Sequence, residues 1–212
     1  MEIELKLSVA ASDVITLCNL PLLQQSAPQP PTTEHLLSTY FDTPELTLKH
    51  HRSALRVRKT PHAWIQTFKG GGGAAAGLHQ RHEWESEVAG PALELESLLP
   101  LIDQPAAKAI LAQPGLVERL QPLFTTDFER TAWMLHLAQD TVVELALDQG
   151  KVSAGESTAP ICEIELELKQ GQLPVLLAFS QELRQLLPLQ PSNISKAQRG
   201  FALRFPQQDS SL

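Results

Sequence analysis

The chain opens with a segment in which charged and apolar side chains alternate. Glu2, Glu4 and Lys6 occupy every second position, and Ile3 and Leu5 lie between them. Because neighbouring side chains of a β-strand point to opposite faces, this pattern predicts a strand with one ionised and one apolar face. One such strand is typical of a half-solvated sheet. The same parity returns, however, in later groups: Arg56 and Arg58; Arg81, Glu83 and Glu85; Glu144 and Asp148; and Glu163, Glu165 and Glu167.

Period-two runs bounded by Gly, Pro, Asn or Asp predict eight or nine strands. Two connections, Thr60-Pro61-His62 and Asp148-Gln149-Gly150-Lys151, have the composition of hairpin turns. The sheet is therefore expected to be largely antiparallel. The predicted strands lie near residues 1–9, 35–42, 53–60, 63–69, 78–88, 119–126, 127–137, 140–148 and 160–169.

Helical signals fill the gaps between these strands. The strongest helix runs from about Leu173 to Leu187, where apolar residues recur at helical spacing and form one stripe. The other helices are predicted from capping residues or an initial proline. They are a helix from Ser12-Asp13 to about Leu23, a short helix from Pro44 to near His51, a helix from Pro105 through Ala112, and a last helix that Ser192 caps and that contains Ser195-Lys196-Ala197-Gln198-Arg199-Gly200.

Two segments are predicted to be loops. Residues 27–33 are rich in Pro and Gln, and residues 70–77 contain only Gly and Ala. The run of four glycines lacks the Lys-Ser or Lys-Thr of a phosphate-binding P-loop and joins two predicted strands, so we interpret it as a flexible hairpin. Neither loop separates two independent cores.

The charged strand faces are expected to point toward one another. Outward charges would simply be wetted by solvent, but the reverse faces are apolar and the amphipathic helices need an apolar surface to cover. We therefore predict an α+β fold with a closed eight-stranded antiparallel β-barrel, or tunnel, and helices packed outside it. Residues 1–212 would form a single domain, with C-terminal helices of about residues 173–205 packing on the barrel.

The composition argues against several functional classes. The formal net charge of −7 disfavours a general nucleic-acid surface, which needs excess positive charge. No run approaches the roughly 20 apolar residues that span a bilayer, and Met1 leads directly into a charged segment. Cys18 and Cys162 lack metal-ligand spacing and are expected to be packed thiols. We expect a cytoplasmic protein that binds neither membranes nor nucleic acid.

The inward carboxylates are suited to divalent cations. Glu163 and Glu165 would lie about 7 Å apart on one strand face and could hold one metal ion with Asp148. Glu2 and Glu4 could hold a second metal ion or orient an attacking water molecule. Carboxylate oxygens are hard ligands that suit Mg²⁺ or Mn²⁺.

The inward cations are suited to a polyanion. Arginine offers planar forks that match phosphate oxygens, and Lys6, Lys69 and Lys196 offer point charges. Carboxylates, arginines and lysines together fit hydrolysis or transfer at a phosphoanhydride, where catalysis is mostly positioning and neutralisation of charge. The histidines, His79 and His82 among them, are expected to be surface or packing residues.

Several motifs, in order along the chain, resemble the CYTH family, also called triphosphate tunnel metalloenzymes. The N-terminal Glu2-Ile3-Glu4-Leu5-Lys6 matches that family's ExExK signature. The other motifs are Tyr40-Phe41-Asp42-Thr43-Pro44, Leu55-Arg56-Val57-Arg58, Thr67-Phe68-Lys69, Arg81-His82-Glu83-Trp84-Glu85, Glu144 with Asp148, Glu163-Ile164-Glu165-Leu166-Glu167 and Ser195-Lys196-Ala197-Gln198-Arg199-Gly200.

The resemblance implies a tunnel that binds triphosphate with divalent metal, either Mg²⁺ or Mn²⁺. It implies that Asp148, Glu163 and Glu165 hold the metal ion bound to triphosphate, and that Glu2 and Glu4 hold a second metal ion or the activated water. Lys6 would lie at the reacting end, so Glu2, Glu4 and Lys6 are the expected catalytic residues. Glu83, Glu85 and Glu144 are additional acidic residues of the tunnel. The implied triphosphate ligands are Arg56, Arg58, Lys69, Arg81, Arg130, Lys196 and Arg199.

The motifs are most similar to those of bacterial inorganic triphosphatases, which cleave triphosphate to diphosphate and phosphate. Thiamine triphosphatase, nucleoside triphosphate hydrolase or cyclase activity are alternatives within the family. Animal thiamine triphosphatases place Trp where Ala54 stands here, which weakens the thiamine alternative. Bacterial relatives often carry a C-terminal CHAD domain, so this chain is expected to be either a single-domain form or a truncated one.

A further alternative is a polyphosphate-binding module without turnover. Glu2 and Glu4 argue against it, because carboxylates that face a polyanion gain little unless metal ions intervene. The sequence leaves the oligomeric state open.

Overall fold

The structure is a computed structural model that describes residues 1–206. The predicted single domain extends to residue 212, and residues 207–212 lie outside the described part. Within residues 1–206, no helix has the length and apolar composition needed to cross a bilayer.

Eight antiparallel strands form a closed ring. Each strand pairs with its neighbours in the order β5-β4-β3-β2-β6-β7-β8-β1, and β1 also pairs with β5, which closes the ring. A ninth short strand pairs with the end of β1 at Leu7 and Ser8. The predicted closed antiparallel architecture is therefore confirmed. The strands are β1 Glu2–Ser8, β2 Thr32–Asp42, β3 Ala54–Lys59, β4 Trp64–Ala75, β5 Leu78–Val88, β6 Gln121–Leu137, β7 Thr141–Ala154, β8 Ser157–Gln170 and β9 Gln190–Pro191.

The long hairpins of β6, β7 and β8 differ from the prediction. The segments 119–126 and 127–137 form one continuous strand, and the turn predicted at residues 148–151 is wrong because β7 continues through it to Ala154. Gly150 lies within the sheet opposite Phe128, where an added Cβ would come within 2.2 Å of the Asp127 carbonyl oxygen. This glycine therefore permits close approach of two strands, and the chain reverses instead at Gly155, which has φ of +60°.

The glycine-rich segment is mostly strand. The hairpin predicted for residues 70–77 is present, but β4 extends to Ala75 and the reversal occurs at Ala76 and Gly77. The pairing register shifts between Gly70 and Gly73, and Gly72 has φ of +91° where a Cβ would overlap the Gln80 carbonyl. The glycines thus accommodate a β-bulge within the strand.

The helices largely follow the predicted positions. The first predicted helix is divided by Pro21, which begins a new helix because proline has no N–H to donate. The helix predicted from Pro44 begins at Thr47, since the Asp42 carboxylate accepts the N–H groups of Leu48 and Lys49. The helix near residue 95 was not predicted. The helices are α1 Val14–Cys18, α2 Pro21–Ser26, α3 Thr47–His50, α4 Leu95–Leu98, α5 Pro105–Leu111, α6 Leu173–Leu186 and α7 Lys196–Arg204.

Two apolar clusters cover the outside of the ring. In the first, α1, α2 and α6 pack on the outer faces of β1, β6, β7 and β8, and Cys18 and Cys162 are free thiols at its margin. In the second, α3, α4 and α5 pack on β3, β4 and β5 around Leu55, Phe68 and Trp84. The apolar faces predicted from alternation therefore point outward to the helices.

The last helix packs against an inner apolar cluster instead. Phe124 and Phe128 have the same parity on β6 as the inward-facing Arg130, and Phe201 of α7 contacts the Phe124 ring edge-on at 5.2 Å. Gly200 allows this contact, because a Cβ there would lie 2.1 Å from the Phe124 ring. Helix α7 therefore fills one end of the ring and presents its first residues to the tunnel.

We expect Gly150→Ala to destabilise the fold, because the new methyl group would overlap the backbone of Asp127 and Phe128. The free energy of unfolding, measured by urea denaturation, should fall by about 1–3 kcal/mol. Gly73→Ala is the matched control, since nothing lies within 4 Å of its added Cβ. The control should stay within about 0.5 kcal/mol of the wild type. Equal stability of the two variants would contradict the close approach.

Candidate active site

The inward faces of the strands enclose a cavity of about 260 Å³. The ring brings together residues from all eight of its strands and from α7 that are remote in sequence, because parity places them on the inner surface. Its lining includes most of the predicted site residues, namely Glu2, Glu4, Lys6, Arg56, Arg58, Lys69, Arg81, Glu83, Glu85, Arg130, Glu144, Glu165 and Lys196.

A cluster of three carboxylates lies on β7 and β8. Asp148 and Glu163 are opposite each other in the strand register, and Glu165 follows on the same face. One carboxylate oxygen from each residue lies within 4.8 Å of the others, and Asp148 and Glu163 are almost fully buried. We call these three residues the carboxylate cluster.

Three cations that line the cavity contact this cluster. The Lys196 Nζ lies 2.5 Å from Asp148 Oδ2, 2.5 Å from Glu163 Oε1 and 2.8 Å from Glu165 Oε1. The Lys6 Nζ lies 3.0 Å from Glu163 Oε1 and also contacts Glu165. Arg130 donates to both oxygens of Asp148 at 2.7 Å, a bidentate contact, and to Glu165 at 2.5 Å.

These contacts keep Glu163 and Glu165 ionised. Burial alone would raise the pKa of Glu163, but the charges of Lys196 and Lys6 outweigh it and lower that pKa to about 2. Burial opposes ionisation of Glu165 as well, yet Lys196, Lys6 and Arg130 hold its pKa well below the usual range. Glu163 and Glu165 therefore have ionised carboxylates at neutral pH, which is the form that metal binding requires.

A capping box places Lys196. Ser195 Oγ accepts the Gln198 backbone N–H at 3.2 Å, and Gln198 Oε1 accepts the Ser195 N–H at 2.8 Å. Ser195 is therefore the N-cap. The predicted capping by Ser192 is wrong, because the helix begins only at Lys196 and Ser192 Oγ accepts the Ile194 N–H instead. Lys196 is the first helical residue, and its ammonium lies over the Phe128 ring at 5.1 Å.

A second acidic group lies on β1 and β5. Lys69 Nζ lies 3.0 Å from Glu2 and 2.6 Å from Glu83, and Arg56 approaches Glu83 at 3.5 Å. Burial, with a hydrogen bond to Glu83, raises the pKa of Glu2 against the opposing charge of Lys69. The pKa of Glu83 is lowered, since Lys69 and Arg56 outweigh its burial. Glu4 is 8% exposed and lies near Lys6, at 3.9 Å.

Two tunnel arginines form no salt bridge with a carboxylate of residues 1–206. Arg58 donates through Nε to Ser38 Oγ at 3.1 Å, and Arg81 contacts the Nδ1 atom of His79 at 2.5 Å. Burial and the nearby charges of Arg56 and Arg130 lower the pKa of Arg58 to about 10. Arg56 is paired with Glu83 and Glu85 through Nη2, but its buried Nε has no hydrogen-bond partner within residues 1–206. The Arg56 Nε is therefore an unsatisfied donor, and Arg58 and Arg81 are cations at the cavity without a carboxylate partner in the same residues.

Three other predicted residues have distinct positions. Arg199 does not line the cavity, and it donates instead to Glu163 Oε2 at 2.7 Å and to the Pro160 carbonyl. Glu85 is half exposed and accepts a hydrogen bond from Thr67. Glu144 lines the wall that the cavity shares with a second cavity of about 260 Å³.

Sequence reasoning missed two inward-facing residues. Tyr40 is 5% exposed and lines the cavity, and its ring stacks on Phe124 at 4.7 Å. Burial opposes ionisation, but Arg56 and Arg58 lower the pKa of Tyr40. His79 is completely buried and contacts Arg81. Tyr40 is opposite Arg56 in the β2–β3 pair, and His79 is two residues before Arg81 on β5. This shared parity is the signal that could have identified both residues.

The carboxylate cluster has the chemistry of a divalent metal site. Its donors are charged oxygens, and their mutual distances allow three ligands on one cation. Hard cations such as Mg²⁺ bind through one or two carboxylates and share the remaining positions with water or phosphate oxygens. The residues present therefore fit a divalent metal ion with cationic groups directly beside it.

Comparison with known proteins places this arrangement in a family. The model of the CYTH domain matches residues 1–201. An inorganic triphosphatase of Haemophilus influenzae is 35% identical over 211 residues, which cover 95% of this chain and 54% of that protein. The chain thus spans about half the length of that curated relative.

Two solved structures share the fold. A Hippeastrum protein, studied as an adenylyl cyclase and described as having a dominant triphosphatase activity, has a TM-score of 0.65 with 20% identity over 93% of both chains. A Bacillus halodurans protein described as an adenylate cyclase has a TM-score of 0.59 with 20% identity over 94% of this chain and 96% of its own. The ring of strands, its charged interior and the match over residues 1–201 agree, and the chain belongs to the CYTH domain family.

Proposed function

We propose that this chain is a metal-dependent inorganic triphosphatase that hydrolyses triphosphate to diphosphate and phosphate within the tunnel. The observation that carries this proposal is the contact of the buried carboxylate cluster, of which Glu165 lines the cavity, with two lysines and an arginine that line the same cavity. The name of the Haemophilus relative supports the same activity. A small anion suits the enclosed site, and the acidic net charge disfavours nucleic acid.

The cations of the tunnel bind and orient the triphosphate in this proposal. Arg58 and Arg81 form no salt bridge with a carboxylate in the described part of the chain, so they are suited to phosphate oxygens. Lys6, Lys69, Arg56, Arg130 and Lys196 add further positive charge around the cavity. Fixed charges of this kind stabilise the negative charge of the reacting phosphoryl group without reorganisation during the reaction.

Asp148, Glu163 and Glu165 would hold a Mg²⁺ or Mn²⁺ ion, which supplies charge neutralisation at the phosphate oxygens when it is bound. Arg199 contacts Glu163 outside the cavity, so we assign it the orientation of that carboxylate instead of direct phosphate binding. Glu2 and Glu4 lie on β1 beside Lys6 and are placed to hold a second metal ion or the attacking water.

The walls of the cavity favour an inorganic substrate over an organic one. Tyr40 is the only aromatic residue among those that line the first cavity in the described part of the chain, and its ring already stacks on Phe124. Ala54 lines the cavity on β3, where a tryptophan would offer a platform for a thiamine ring. The tunnel thus has many charged groups and no free aromatic surface for a base or thiazole.

One prediction of the proposed function concerns Glu4. We expect Glu4→Gln to lower kcat for triphosphate by at least about 100-fold, because an amide cannot orient a water molecule or a cation as a carboxylate does. Phosphate release measures kcat, and circular dichroism checks the fold. Glu129→Gln, an exposed position on the outer face of β6, is the matched control and should keep full activity. Nearly full activity of Glu4→Gln would remove Glu4 from the assigned role.

A second prediction concerns the metal ion. EDTA should abolish phosphate release, and Mg²⁺ or Mn²⁺ should restore it. Glu163→Gln should raise the metal concentration needed for half-maximal activity by at least about tenfold, since one charged ligand is lost. Calorimetric titration with Mn²⁺ separates weaker metal binding from slower chemistry. Unchanged Mn²⁺ affinity would show that the carboxylate cluster is not the metal site.

The substrate itself is tested by a panel of triphosphates. The value of kcat/KM for inorganic triphosphate should exceed those for thiamine triphosphate and ATP by at least about tenfold, which corresponds to 1.4 kcal/mol of discrimination. A higher value for an organic triphosphate would reassign the substrate within the family. Tight triphosphate binding without any phosphate release would instead favour a binding module.

A further inference from the structure

His79 is a buried polar residue whose position the proposed chemistry does not explain. It lies on β5 with the same parity as Arg81 and is opposite Glu4 in the pairing of β5 with β1. Its exposure is 0%, although it lies beside a charged cavity. Its two ring nitrogens both have partners, since Nε2 lies 3.0 Å from the Ser192 carbonyl oxygen and Nδ1 lies 2.5 Å from Arg81 Nη2.

These two partners determine the tautomer of the ring. A carbonyl oxygen only accepts hydrogen bonds, so Nε2 must carry the hydrogen and donate it to Ser192. Nδ1 then has a lone pair and accepts an N–H of the Arg81 guanidinium. Burial lowers the pKa of His79, and the charge of Arg81 lowers it further against the contact with Ser192. The neutral ring is therefore the form that fits both contacts.

The neutral acceptor has an electrostatic consequence for Arg81. Most tunnel cations are paired with carboxylates, which hold them in place and also neutralise much of their charge. An imidazole nitrogen holds the guanidinium by a hydrogen bond but adds no negative charge. Arg81 is thus oriented while its positive charge remains available to an anion in the cavity.

The same ring connects Arg81 to the segment that leads into α7. The Ser192 N–H donates to the Lys6 carbonyl at 3.0 Å, and the side chain of Asn193 accepts the Gly77 N–H at 2.7 Å. These bonds anchor residues 192–193 to β1 and to the turn between β4 and β5. His79 is therefore fixed through Nε2 by a hydrogen-bonded backbone segment, and its Nδ1 atom is held in position for Arg81.

We propose that His79 is a positioning residue that aims the Arg81 guanidinium at the triphosphate and leaves its charge free for a phosphate oxygen. This inference rests on the proposed function, because it takes Arg81 as a triphosphate ligand. His79 itself contacts neither substrate nor metal in this proposal. Its effect on triphosphate binding should therefore pass entirely through Arg81.

A double-mutant cycle tests this dependence. His79→Leu removes the acceptor, and Arg81→Met removes the guanidinium. We expect each single variant to raise KM for triphosphate by about tenfold, the scale of one hydrogen bond to a charged group, with kcat changed much less. The double variant should have the KM of Arg81→Met alone. If His79→Leu raises KM by the same factor when residue 81 is Met, the effect does not pass through Arg81 and the proposal is wrong.

Conservative variants keep the test informative if His79→Leu does not fold. His79→Asn places an amide oxygen where Nδ1 lies and can still accept from Arg81, so it should keep a KM near that of the wild type. His79→Gln reaches the position of Nε2 instead and should raise KM. Equal KM values for these two variants would overturn the proposal. His82→Leu is the matched control, because His82 is on the opposite face of β5 and stacks on Trp84 at 5.7 Å. It should leave KM unchanged.

Calorimetric binding of inorganic triphosphate in EDTA repeats the cycle without turnover. A wild-type protein that binds triphosphate but releases no phosphate would overturn the proposed function while the cycle still tests His79. If the wild-type protein hydrolyses triphosphate but the effects of His79→Leu and Arg81→Met on triphosphate binding are additive, the role of His79 is overturned and the proposed function stays intact.

Discussion

The tunnel depends on the pairing of opposite charges that are buried together. Asp148 and Glu163 lie at almost zero exposure, and Lys196 contacts both. A carboxylate left unpaired at this depth would take up a proton or destabilise the fold. The pairs combine cations from β1, β6 and α7 with carboxylates from β7 and β8, so the ring and its last helix must form together. A one-residue slip of any strand would move its charges to the apolar outer surface, which strongly specifies the register.

The apolar surfaces complete this arrangement in two ways. Helices α1 to α6 cover the outer faces of the strands and shield that side of the ring from water. Helix α7 instead packs through Phe201 on the inner cluster around Phe124. This placement brings Lys196 to the carboxylate cluster from the end of the ring. The apolar packing of the inner cluster and the geometry of the carboxylate cluster therefore depend on the same helix.

The cations of the tunnel differ in how much of their charge remains available. Lys6, Lys196 and Arg130 contact carboxylates, and Arg58 and Arg81 contact the neutral groups of Ser38 and His79. In the proposed function, the first set stabilises the carboxylates that would hold a metal ion, and the second would retain charge for a phosphate group. A site that binds a metal ion and a polyanion side by side needs both kinds of cation.

The sequence by itself determined which side chains face the tunnel, since parity along a strand is a local property that Glu2, Glu4 and Lys6 already show. It also determined the helix of residues 173–186 and the family motifs. Only the tertiary structure decided that Gly150 lies within a strand, that Arg199 contacts Glu163 outside the cavity, and that His79 contacts Arg81. Each of these depends on distances between segments remote along the chain, and no local pattern records such distances.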